Sequence, residues 1–127
     1  MILLDASVLI EYLRRRDPAL GRALSTLDLG LCGITRAEIL HGARDKTDRL
    51  KLITLLDQFH FLPIPESLWN LLGDHLHQLR THGIIVPFTD AALATLAIHL
   101  DIELWGFDAH FPLIASVLPL KLYRSFP

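Results

Sequence analysis

Four carboxylates occupy comparable junctions in this chain. Asp5 follows the apolar run Met1 to Leu4, Asp108 follows Glu103 to Phe107, Asp90 opens the periodic segment Ala91 to Leu100, and Glu38 falls in the first turn of a helix expected to begin at Thr35. Each has an ordinary structural use. Glu38 completes the capping box Thr35-Arg36-Ala37-Glu38. Asp90 can cap its helix, Asp108 can close an Asx turn, and Asp5 can accept from amides of the helix after it. Gathered at one edge, the four gain a further use. Like charges that close repel, and at neutral pH an oxygen-rich set without cysteine is balanced by a hard divalent cation such as Mg²⁺ or Mn²⁺. Such a cation activates water and stabilises charge developing on a phosphodiester, so the chemistry implied is hydrolytic cleavage of that bond.

The elements that must gather them are legible as strands alternating with helices. Met1 to Leu4 is a continuous apolar run, the pattern of a parallel strand buried on both faces. Val8, Leu9, Tyr12 and Leu13 then have helical spacing, with Ser7 as the expected N-cap. Asp17-Pro18 starts a second helix toward Leu27. Leu29 to Ile34 reads as the second strand, Thr35 to Ala43 as a helix, and Asp48 to Phe59 as another with Leu50, Ile53, Leu55 and Leu56 inward. Phe61 to Ile64, limited by Pro63 and Pro65, is a short or edge strand. A long helix runs from Ser67 to His82 before Gly83. Glu103 to Phe107 is the fourth strand, Pro112 to Val117 a short helix and Leu120 to Tyr123 a last strand. This alternation predicts an α/β fold of three layers, α/β/α, around a central, mainly parallel sheet of four to five strands. In such sheets ligand sites lie outside the carboxyl ends of the strands, where Asp5 and Asp108 fall.

At 127 residues one domain, 1–127, is the default. Hydrophobic residues make up 51% and charged residues 20%, with a mean hydropathy of +0.38. Yet no apolar run approaches the roughly 18 residues of a spanning helix, and the N-terminus has no basic region ahead of an apolar one. A cytoplasmic protein with no membrane association is expected, and the apolar surplus points to a partner surface. The single cysteine, Cys32, excludes an intramolecular disulfide and a cysteine metal site, leaving it as core filler. A net charge of −2 provides no global basic field, so any nucleic-acid contact must be local. Nine of the twelve basic residues are arginines, with Arg14, Arg15 and Arg16 in a run. Arginine suits bidentate phosphate contact, although a solvated helix end is the commoner use of such a run.

Taken together, Asp5-Ala6-Ser7 after the first strand, Thr35-Arg36-Ala37-Glu38-Ile39 followed by Gly42, Thr89-Asp90-Ala91-Ala92 with Ala94 and Ala97, and Phe107-Asp108-Ala109-His110-Phe111 resemble the PIN-domain nucleases, in particular the VapC-type toxins of type II toxin–antitoxin pairs. The order, spacing and total length of these motifs cover essentially the whole chain. The resemblance implies that Asp5, Glu38, Asp90 and Asp108 are the catalytic, metal-binding acids, and that Ser7 and Thr35 are hydroxyls orienting the site. It further implies a Mg²⁺-dependent endoribonuclease, with Mn²⁺ as a substitute, acting on structured RNA such as tRNA or rRNA. A cognate antitoxin would inhibit it, and the apolar fraction fits a homodimer face and an antitoxin groove.

The chain departs from that pattern beside the fourth acid. Many members have a hydroxyl residue two positions before it and a second Asp two positions after, where this chain has Gly106 and His110. His110 can bind phosphate or ligate metal, although a lone histidine at a turn is more often a surface residue. Arg36 and Arg44, on either side of Glu38, can position an RNA backbone. His41 stands one turn beyond Glu38, while His75 and His77 point to different faces. Trp69 and Trp105 read as core. The departures leave open a catalytically silent module that binds RNA or a protein partner. A Mg²⁺-dependent phosphoryl enzyme acting on small molecules is a third reading.

Overall fold

Leu3 and Leu4 face opposite sides of one strand, and that alternation organises the molecule. The structure, a computed structural model, describes residues 1–126. Strand β1 (Ile2–Leu4) pairs in parallel with β2 (Leu29–Leu31) on one side and with β4 (Glu103–Trp105) on the other; β3 (His60–Phe61) adds to the outer edge of β2. The order β3-β2-β1-β4 is parallel throughout. Leu3 registers with Leu104 and Leu4 with Trp105, so each face of the sheet receives a matched apolar pair.

Helices cover both faces. Leu4 and Trp105 pack with residues of α1 (Ala6–Arg15), α2 (Pro18–Thr26), α3 (Gly33–His41) and α4 (Lys46–Leu56), among them Leu9, Leu20, Ile39 and Leu56. Leu3 and Leu104 pack with α5 (Leu68–Thr81), α6 (Phe88–Leu100) and α7 (His110–Ala115) through Leu79, Leu93 and Phe111. Among the described residues this makes seven helices and four strands, the expected three layers. Burial of each such leucine contributes about 1.5–3 kcal/mol, so both faces of the short strands are anchored. Between α5 and α6 the buried His75 Nδ1 meets Thr95 Oγ1 at 2.9 Å. No helix among the described residues is long and apolar enough to cross a membrane.

Several local expectations are corrected. Asp5, and not Ser7, is the N-cap of α1: its Oδ2 accepts from Ser7 N at 3.0 Å. The third helix begins at Gly33, two residues before Thr35, so no capping box forms and Glu38 lies in the second turn. Pro87 holds the N-cap position of α6, which leaves Asp90 in the first turn without a capping bond. On α4 the buried positions are Leu52 and Leu56, while Leu50 is 63% exposed. Trp69 is 48% exposed, whereas Trp105 is core. The expected strand at 120–123 contracts to one bridge, Leu104 to Leu122, and the short helix starts at His110 in place of Pro112.

Candidate metal centre

The chain leaves β1 toward β2 and β3, then returns to its other side with β4, so the order reverses at β1. A crevice at the carboxyl ends of the strands follows from that reversal. Three segments are pinned there. Asp5 N donates to Trp105 O at 2.9 Å, holding the first acid against β4. Ser7 Oγ accepts from Phe107 N at 2.9 Å, tying the start of α1 to the segment after β4. The buried Thr35 Oγ1 donates to Leu4 O at 2.9 Å, which fixes the start of α3 on the end of β1. Gly106 is required by close approach: a Cβ there would lie 2.6 Å from Phe111 Cε2 and 3.0 Å from Asp5 Cβ.

These anchors bring the four predicted acids into electrostatic contact. Asp5 is buried, Asp90 is half-buried, and Glu38 and Asp108 are exposed. Local desolvation raises the Glu38 pKa, helped by the charges of Asp5 and Asp90. Desolvation also raises that of Asp90, opposed by the hydrogen bond from His110 and reinforced by Asp5 and Asp108. His110 Nδ1 lies 2.9 Å from Asp90 Oδ2 and 2.7 Å from Asp108 Oδ1. Asp90, Asp108 and His110 each bring one donor atom within 4.8 Å of the others, and the charges of Asp5 and Glu38 couple to that trio through Asp90. Among the described residues no Lys or Arg pairs with any of the four acids. Four carboxylates without a Lys or Arg partner, two of them raised in pKa by desolvation and by neighbouring acids, have the donor chemistry that suits a divalent cation.

Ordinary uses and site geometry coexist in these side chains. Asp5 caps α1, and Asp108 closes its Asx turn by accepting from His110 N at 3.0 Å through Oδ1. Each keeps a second oxygen outside those bonds. The expected arginines separate: Arg36 pairs with Asp57 at 2.9 Å, whereas Arg44, paired with Asp48 at 3.5 Å, lines a groove of about 450 Å³ beside Glu38. Arg14 and Arg16 line the same groove, with Ile10 and Ile39 on its apolar wall. His110 is the residue that spacing undervalues. Its only sequence signal is its place two residues after Asp108, and its contact with Asp90 spans 20 residues of chain.

A parallel sheet with an acidic crevice at its switch point defines a class of α/β proteins built around a candidate cation site. Within that class the PIN domain family matches residues 2–117, and the chain belongs to that family. Comparison with curated proteins finds no match. Solved structures share the fold across nearly their full length. VapBC-1 from nontypeable Haemophilus influenzae is 22% identical with a TM-score of 0.82, covering 97% of each chain. A toxin-antitoxin complex from Klebsiella pneumoniae is 20% identical at a TM-score of 0.74, covering 96% of this chain and 100% of that one. VapC20 from Mycobacterium tuberculosis, a sarcin-ricin loop cleaving toxin, is 16% identical at 0.68, covering 95% and 99%.

Proposed function

We propose that this chain is a divalent-metal-dependent endoribonuclease toxin of the VapC type, hydrolysing phosphodiester bonds of structured RNA and inhibited by a cognate antitoxin. The observation that carries the reading is the convergence of Asp5, Glu38, Asp90 and Asp108 on one crevice, with no Lys or Arg among the described residues paired to any of them. Membership of the PIN family and likeness to toxin–antitoxin structures support it, and the sarcin-ricin loop specificity of one structural neighbour supports RNA as the substrate class.

Asp5, Asp90 and Asp108 would hold Mg²⁺ or Mn²⁺, with Glu38 assisting. When bound, the ion supplies Lewis-acid activation of water and stabilises the charge developing on the phosphate. The chain's own part is to hold these oxygens ready. Ser7 and Thr35 do so through the backbone they tie together, and Asp5 does so through the cap that fixes its rotamer. Arg14, Arg16 and Arg44, along the groove beside Glu38, would contact RNA phosphates and fix position without reading sequence. The proposal places the whole chain in one domain, acting as a homodimer in the cytoplasm.

The test is cleavage of total cellular RNA by purified protein freed of partners, with Mg²⁺, Mn²⁺ or EDTA, beside Asp5→Asn. Discrete fragments that require metal and vanish in the variant are expected. Full cleavage by Asp5→Asn would sink the assignment. One observation favours the second reading, a catalytically silent binding module: His110 already bridges two of the acids. RNA left intact under every condition would favour that module.

A further inference from the structure

His110 contributes the one nitrogen in an otherwise all-oxygen centre, and two separate features place it there. The Asx turn at Asp108 opens α7 and turns the imidazole back over the acids. Next to it, Phe111 is fully buried, with its ring in the space that a side chain at position 106 would occupy. Gly106 and His110, the two departures noted in the sequence, therefore belong to one arrangement. The bare Cα at 106 lets Phe111 seat, and the seated Phe111 brings His110 Nδ1 within 2.9 Å of Asp90 and 2.7 Å of Asp108. A single ring atom facing two carboxylate oxygens, all within 4.8 Å, is a three-donor arrangement that one cation would fill.

We propose that His110 Nδ1 is a direct ligand of the divalent ion, beside Asp90 and Asp108, and that it makes this centre select Mn²⁺ over Mg²⁺. The inference rests on the metal-dependent reading above and adds the identity of the ion to it. Mg²⁺ is hard, demands near-octahedral oxygen surroundings and gains little from imidazole. First-row transition ions accept imidazole nitrogen, and Mn²⁺ among them also suits the carboxylates that complete the set. A second aspartate in place of His110 would remove that discrimination.

The experiment uses the full chain, stripped with chelator and reloaded with Mn²⁺ or Mg²⁺ alone. Pulsed electron paramagnetic resonance of the Mn²⁺ form is expected to show the nitrogen modulation of a bound imidazole, absent in His110→Asn. Calorimetric titration is expected to give tighter binding of Mn²⁺ than of Mg²⁺, with the ratio narrowing about tenfold in His110→Asn. His110→Asp, an all-oxygen centre, should bring the ratio down further, and circular dichroism checks that both variants fold. Mn²⁺ bound by the wild-type chain without nitrogen modulation, or an unchanged ratio across the three proteins, overturns the inference. If that result comes with metal-dependent RNA cleavage, only the role of His110 fails; a chain that binds neither ion and leaves RNA intact takes down both readings.

Discussion

At the α1–α3 end of the crevice, Asp5 acts on Glu38 and neither has a basic partner among the described residues, whereas at the α6–α7 end Asp90 and Asp108 share one imidazole nitrogen. The two ends are also built differently. The first is set by backbone anchors on β1, through the Asp5 cap and the Thr35 bond to Leu4 O. The second depends on a packed ring, Phe111 over Gly106. The contrast teaches that a row of acids can be uniform in charge while its halves rely on different forces. One half depends on backbone hydrogen bonds, the other on close packing and on an imidazole that its own chain supplies.

The deepest break in the first half is Asp5→Asn, expected to lower metal-dependent cleavage by about 10³-fold. Its melting temperature should hold or rise, since one charge leaves a repelling set. Because Asn keeps the capping oxygen, a coincident loss of fold and activity would show that the charge itself serves the fold. Gly106→Ala attacks the second half. Overpacking against Phe111 is expected to cost about 1–3 kcal/mol in urea denaturation, and an unchanged midpoint would show that the ring yields freely. Thr35→Val removes a buried donor from Leu4 O and should cost about 1 kcal/mol by the same measurement. No change in stability there would mean that α3 docks without this bond.

The smallest effects are in pH, and they have opposite signs in different places. Glu38 and Asp90 have pKa values raised above their ordinary 4.5 and 3.8, so the folded chain retains protons that the unfolded chain releases. Their contribution to metal-free stability is present in acid and lost as pH rises through the raised values, and Mn²⁺ or Glu38→Gln should flatten that fall. Burial lowers the pKa of His75 below its ordinary 6.5, with Asp74 opposing less strongly. That contribution is present above pH 6.5 and lost as pH falls through the folded value. His75→Gln should flatten the acid side alone, and urea midpoints across pH 4–8 read both slopes.

Strands β1 and β4 were legible because each is a short, largely apolar run ending beside Asp5 or Gly106, and a sheet covered on both faces leaves such runs unbroken. The positions of Asp5 and Asp108 followed from the same runs, whereas Glu38 and Asp90 were read from helix starts. The start of α3 was not legible, because Thr35 spends its hydroxyl on Leu4 O, 31 residues away, and a local capping pattern does not register a bond at that distance. On α4, Leu50 and Leu52 both fit an amphipathic pattern, and only the position of α1 and the sheet decides that Leu52 is the buried one. Trp69 looked like core by residue type, yet it lies on the outward side of α5. His110 was undervalued for a similar reason: its partner Asp90 lies on another helix, and Gly106, which permits the approach, carries no side chain to signal it.

The bond from Phe107 N to Ser7 Oγ spans 100 residues and closes the crevice with the last strand of the sheet. A chain still emerging during synthesis carries Asp5 and Glu38 long before Asp108 and His110 exist to face them. A crevice of this topology is thus incomplete until β4 slides in beside β1, and translation itself sets the delay.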